Sequence, residues 1–146
     1  MNDEVICNRF EQILGEWVCI HWEDQFFPNH DPSKPIIKLC GQTLRIRAND
    51  SWTKLPHHLK EAMTAHEIGH RELNHASIPQ DNPFYRLGFI HRGTVDPKET
   101  QADHFACKLI GRSKYVQVLR ELSAMTDNRC AVLEFQYRIK ALELLN

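Results

Sequence analysis

At 146 residues with a formal net charge of −1, the chain is one domain's worth of sequence, and neither its charge balance nor any Lys/Arg run supplies the attraction that nucleic-acid binding rests on. The five cysteines, Cys7, Cys19, Cys40, Cys107 and Cys130, are odd in number and lack a C-x-x-C pair, which argues against a disulfide framework and for reduced thiols in a cytoplasmic protein. The opening MNDEVICNRF is acidic where a secretory signal is basic, and no apolar run reaches membrane-spanning length, so a single domain over 1–146 with no membrane segment is expected.

Ile6, Phe10, Ile13, Leu14 and Trp17 recur at helical spacing, with Asn2 or Asp3 free to cap, and predict a first helix. The stretch from Trp17 to Trp22 is apolar and partly β-branched and fits either helix or strand. Residues 25–35 hold three prolines and read as loop. Residues 35–40 and 43–48 read as two short strands joined by a tight turn at Gly41, with Leu44 and Ile46 alternating with Arg45 and Arg47 across a half-buried sheet. A turn over 49–56, with Thr53 a candidate cap and Pro56 near the first helical turn, leads into a helix from Leu55 to His75.

From Ser77 to Val95 no period is sustained, and the stretch reads as a long loop lining or covering a cleft. Asp96-Pro97 opens the next helix, with Ala102, Phe105, Ala106, Leu109 and Ile110 as its apolar stripe and Gly111 as its stop. Another helix starts at Ser113, and Thr126-Asp127-Asn128 separates it from a last helix carrying Val132, Phe135, Ile139, Leu142 and Leu145. These parts predict an α+β fold, mostly helical, with a small antiparallel β-sheet packed on the helix of residues 55–75 and an edge strand open to an extended peptide.

The chemistry concentrates in His66-Glu67-Ile68-Gly69-His70, an HExxH pattern. Residues four apart share a helix face, so His66 and His70 can offer two imidazole nitrogens to one metal ion beside the Glu67 carboxylate. Two neutral imidazoles suit Zn²⁺ and leave room for a third protein ligand and a water. A chain with 9 histidines can carry such a pentapeptide by chance, so context decides. Leu59, Ala62, Met63, His66, His70 and Leu73 fall on one stripe, which turns both histidines toward the core.

A catalytic zinc needs one more protein ligand. Leu73 and Ala76 stand where a metzincin has its glycine and third histidine. His75 is one residue short of that histidine, and on a continuing helix it points about 140° away from His70. Cys40-Gly41 reverses the order of a deformylase-type turn and lacks its glutamate. The remaining route is Glu99, the one glutamate between Glu72 and Glu121, with Asp103 one turn later on the same face, placed to accept from a ligand histidine. The bland alternative for Glu99 is a capping box with Asp96. Capping leaves the small residues Ala102 and Ala106 on that face unaccounted for, whereas close packing against the HExxH helix requires them.

The segments Thr64-Ala65-His66-Glu67-Ile68-Gly69-His70 and Glu99-x-x-Ala102-Asp103-x-Phe105-Ala106, followed by Tyr137-Arg138-Ile139 in the last helix, resemble the ImmA/IrrE family of zinc metallopeptidases over roughly residues 44–145. The resemblance implies a gluzincin-type site in which His66, His70 and Glu99 hold one zinc ion per chain, Glu67 is the catalytic acid/base and Asp103 supports a ligand from behind. It also implies a protein substrate, commonly a helix-turn-helix repressor cleaved under stress. Leu109-Ile110-Gly111 departs from the family's leucine-methionine-proline, and the regulatory domain of larger members is expected to be absent, with sensing supplied from elsewhere. His75, His91, His104 and Tyr115 are open candidates for stabilising an oxyanion. Two rival readings are a non-catalytic, zinc-stabilised antirepressor and a latent enzyme with a cysteine, Cys19 or Cys40 foremost, on the metal.

Overall fold

The structure is a computed structural model that describes residues 2–15, 18–22, 37–40, 45–48, 54–73, 75 and 83–144. Among the described residues six helices carry the architecture: α1 (Asn2–Leu14), α2 (His57–Glu72), α3 (Pro83–His91), α4 (Pro97–Ile110), α5 (Arg112–Met125) and α6 (Arg129–Glu143). Three four-residue strands, β1 (Cys19–Trp22), β2 (Ile37–Cys40) and β3 (Arg45–Ala48), are described by their backbone.

The expected α+β class, with a small antiparallel sheet on the HExxH helix, is corrected to a helical domain. With the strands set aside, 83% of the described residues are helical, and no strand lies within that part. The strand backbones form a mixed sheet rather than an antiparallel one: their order is β1-β3-β2, with β2 antiparallel to β3, as expected for residues 35–48, and β1 parallel to β3. The physical reason lies in the helices, whose apolar stripes are wide enough to bury one another. The described core draws Ile6 and Phe10 from α1, Leu59, Ala62, Ala65 and Ile68 from α2, and Ala106 and Ile110 from α4. Tyr115, Val116, Val118 and Leu119 of α5, Leu142 of α6, and Val18 and Leu55 from the connecting segments complete it. Each large side chain there contributes on the order of 1.5–3 kcal/mol of burial.

At the centre, α2 packs most closely on α4 and also touches α1 and α5. Its N-cap is Pro56, with no side-chain cap; Thr53 lies outside the described residues. Gly69 makes the approach of α4 so close, because a Cβ there would stand 3.0 Å from the Ala102 carbonyl oxygen and 3.1 Å from the Ala102 Cα. Glu61, almost fully buried on the same helix, takes ion pairs from Arg9 of α1 and Lys114 of α5. Burial alone would raise the Glu61 pKa, but the two cations hold it below its ordinary value and knit three helices together.

The ends of α4 follow the sequence signals. The Asp96 side chain accepts from the Lys98 amide, Pro97 occupies the first turn, and Gly111 stops the helix at a φ of 99° that side chains rarely adopt. Asn128 caps α6 by accepting from the Ala131 amide. The long loop expected from Ser77 to Val95 is corrected, since residues 83–91 within it form α3. Residues 87–90 are only half-buried, so no apolar stripe announces that helix. The turn at Gly41 and the alternation of Leu44 to Arg47 concern positions or side chains outside the described ones.

Candidate metal centre

His66 and His70 lie one turn apart on the inner face of α2 and are both buried. Their Nε2 atoms are 3.0 Å apart. The contact between α2 and α4 across Gly69 brings in Glu99, whose Oε2 is 2.9 Å from His66 Nε2 and 3.5 Å from His70 Nε2. Three acceptor-capable atoms on two helices thus form a small triangle. Tetrahedral ligands on zinc, at bonds of 2.0–2.1 Å, stand about 3.3 Å from one another, so the triangle has the size a zinc ion requires. The Glu67 carboxylate stands beside it: His66, Glu67 and His70 each present an atom within 4.8 Å of the others. Glu99 does not serve a capping box, because its carboxylate is spent on the histidines and the Asp96 cap takes the Lys98 amide.

The outer nitrogens explain why the inner ones face the triangle. His66 Nδ1–H donates to Asp103 Oδ1 at 2.9 Å. Asp103 is fully buried and receives three further donors: the Tyr115 hydroxyl at 2.5 Å, Arg138 Nη2 at 2.6 Å and Arg138 Nε at 2.8 Å. The fork of Arg138 on Asp103 is bidentate, which fixes the carboxylate plane as well as its charge. Burial pushes the Asp103 pKa up, but Arg138 and the other donors hold it well below the carboxylate range, so Asp103 is an anion. That anion is what aligns the His66 ring.

The same charges set the proton affinities of the metal-free site. Burial and the Arg138 cation oppose protonation of His66, yet hydrogen bonds to Asp103 and Glu99 outweigh them and raise its pKa to about 10. Burial would also raise Glu99, but the hydrogen bond from His66 and the charges of His66 and Arg138 hold it well below its ordinary value. Glu67 shifts upward because burial dominates over its cationic neighbours. Burial lowers His75, against the hydrogen bond to Gln101. The raised His66 and lowered Glu99 together favour a hydrogen on His66 Nε2 facing the Glu99 carboxylate when no metal is bound.

Structure and sequence diverge at His75. The helix stops at Glu72 rather than continuing, and the His75 amide donates to the His70 carbonyl at 2.7 Å. The ring is folded back onto His70, Nδ1 to Nδ1 at 3.0 Å, instead of pointing away. With its other nitrogen on Gln101 Oε1 at 2.9 Å, His75 is committed at both ends, and the Tyr115 hydroxyl is committed to Asp103. Neither is therefore available to an oxyanion, while His91 and His104 are exposed.

Gln101, the fold-back of His75 and the roles of Tyr115 and Arg138 on Asp103 were not read from the sequence, which offered Tyr115 only as an oxyanion candidate and Arg138 only as part of the last-helix motif. Arg138 left a trace: it falls within the Phe135, Ile139, Leu142 stripe of α6, where a charge must find a buried partner. Among the cysteines, Cys107 has its thiol pushed up by burial to about 11, which disfavours the thiolate a zinc ligand must be. The side chains of Cys19 and Cys40 lie outside those described. Comparison with protein-family models, curated proteins and solved structures gave no match to this chain.

Proposed function

We propose that the protein is a zinc metallopeptidase of the ImmA/IrrE type that hydrolyses a peptide bond in one protein partner. The observation that carries this reading is the convergence of His66 Nε2, His70 Nε2 and Glu99 Oε2 at 2.9–3.5 Å, with Glu67 alongside. The two-histidine, one-carboxylate donor set suits zinc and leaves a fourth position open. A zinc ion held there would supply Lewis acidity, polarising a peptide carbonyl and acidifying a water. Glu67 takes the proton from the attacking water and returns it to the leaving amine. Asp103, held by Arg138 and Tyr115, keeps the His66 ring in register.

The partner class rests on the sequence resemblance, which points to a helix-turn-helix repressor whose cleavage relieves repression. A cytoplasmic setting is proposed on the odd number of cysteines and the lack of a C-x-x-C pair in the sequence; among the described residues no helix is long and apolar enough to cross a membrane.

The test uses untagged protein in parent, Glu99→Ala and Glu67→Gln forms. The parent should carry about one zinc per chain, Glu99→Ala should lose it, and Glu67→Gln should keep it while cleavage of a co-encoded repressor falls by at least about 10²-fold. Cleavage retained in Glu67→Gln would sink the mechanism. A parent that binds zinc and the repressor without cutting it would be the non-catalytic antirepressor instead.

A further inference from the structure

The two ligand histidines are supported from behind in different ways. His66 leans on the buried anion Asp103, whereas His70 leans on another histidine. The His75 ring packs edge-on against His70, with centroids 5.2 Å apart and planes inclined at 62°. His75 then reaches Gln101, which stands on α4 two residues after Glu99 and is exposed to solvent. A file of hydrogen bonds thus runs from the centre to the surface: His70 Nδ1 to His75 Nδ1 at 3.0 Å and His75 Nε2 to Gln101 Oε1 at 2.9 Å.

Proton positions along this file are coupled. A carbonyl oxygen only accepts, so with Oε1 of Gln101 facing inward His75 carries its hydrogen on Nε2 and its Nδ1 is bare. A bare Nδ1 must accept, so His70 carries its hydrogen on Nδ1. His70 Nε2 is then a lone pair, aimed where Glu99 Oε2 and His66 Nε2 converge. Turning the Gln101 amide around would reverse every bond and put a hydrogen on His70 Nε2, in the space a metal needs.

We propose that Gln101 and His75 are positioning residues, a neutral relay that locks His70 in the metal-binding tautomer and so raises the zinc affinity of the centre. The relay rests on the metal-centre reading, yet it makes its own demand on a single amide orientation. Unlike Asp103, it adds no negative charge near the site.

Gln101 is exposed, so substituting it leaves the core untouched. Zinc affinity is measured by competition with a chromophoric chelator for the parent, Gln101→Leu and Gln101→Glu. In parallel, ring-nitrogen NMR shifts are recorded on the metal-free parent and Gln101→Leu. The relay requires a hydrogen on His70 Nδ1 in the metal-free parent and a mixture of tautomers in Gln101→Leu. Zinc affinity should fall about 10–100-fold in Gln101→Leu, and Gln101→Glu, which keeps an acceptor, should recover parent affinity or exceed it. Equal affinities in parent and Gln101→Leu, or a hydrogen on His70 Nε2 in the metal-free parent, would overturn the relay. A parent that takes up no zinc would remove the metal centre, and the ring-nitrogen shifts would still decide whether the relay holds His70.

Discussion

Asp103 and Glu99 sit one turn apart on α4 and do different work with the same functional group. Asp103 is saturated by four donors and serves as a fixed anion behind His66. Glu99 faces two ring nitrogens, and its charge is answered by the proton on His66 and by the more distant Arg138. That proton is tightly held, since the His66 pKa is raised from 6.5 to about 10. The sign is therefore fixed: the proton's contribution to the metal-free fold is full below pH 6.5 and lost as pH rises through about 10. Zinc must displace it to bind. Apparent zinc affinity is expected to rise about tenfold per pH unit from pH 7 to 9, and to level off above the His66 pKa. Chelator competition at three pH values checks this, and a flat profile would mean that zinc displaces no proton.

Between α2 and α4 the contact depends on what is missing. A methyl at Gly69 would press into the backbone of Ala102 at 3.0–3.1 Å, and backbone cannot swing aside as a side-chain tip can. Gly69→Ala is expected to cost about 1–3 kcal/mol by overpacking and to weaken zinc binding by pushing Glu99 off the triangle; thermal melts and chelator competition measure the two effects. Parent-like values for both would show that the helices adjust freely.

Elements with sharp ends and a buried stripe were the legible ones. Pro97 and Gly111 bracket α4, and the small residues Ala102 and Ala106 pointed to close packing before any coordinates. The α3 helix was not legible, because residues 87–90 bury too little for a period to show. The strand signals at 35–48 were over-weighted into a fold class. Local alternation says nothing about how much of a core the helices can close among themselves. In the candidate metal centre, the HExxH face, Glu99 and Asp103 were legible in the sequence, the histidines from helical geometry and Glu99 from the elimination of other third ligands and the family resemblance. Arg138, Tyr115 and Gln101 were not, since their partners lie 12–35 residues away, as with Tyr115 and Arg138 on Asp103, or hang on a turn that folds back after Glu72.

Across the molecule, the centre ties α2 to α4 through its three inner atoms and α4 to α5 and α6 through Asp103. A ligand that bridges elements stabilises only the folded chain. Adding free zinc at 100 times its dissociation constant is expected to stabilise the protein by about 2.7 kcal/mol, and chelation to remove that gain. Melting curves with zinc and with chelator test it; coincident curves would mean that no metal bridges the helices.

Arg138 follows Asp103 by 35 residues, and this order gives the centre a history as well as a shape. On a ribosome adding about 5–20 residues per second, roughly 2–7 s separate the synthesis of the two. During that interval the emerging chain already owns both histidines and Glu99 but lacks the guanidinium that holds the supporting anion in place. The support behind His66 is thus completed only when the last helix has been made, and the proposed metal centre acquires its full frame late.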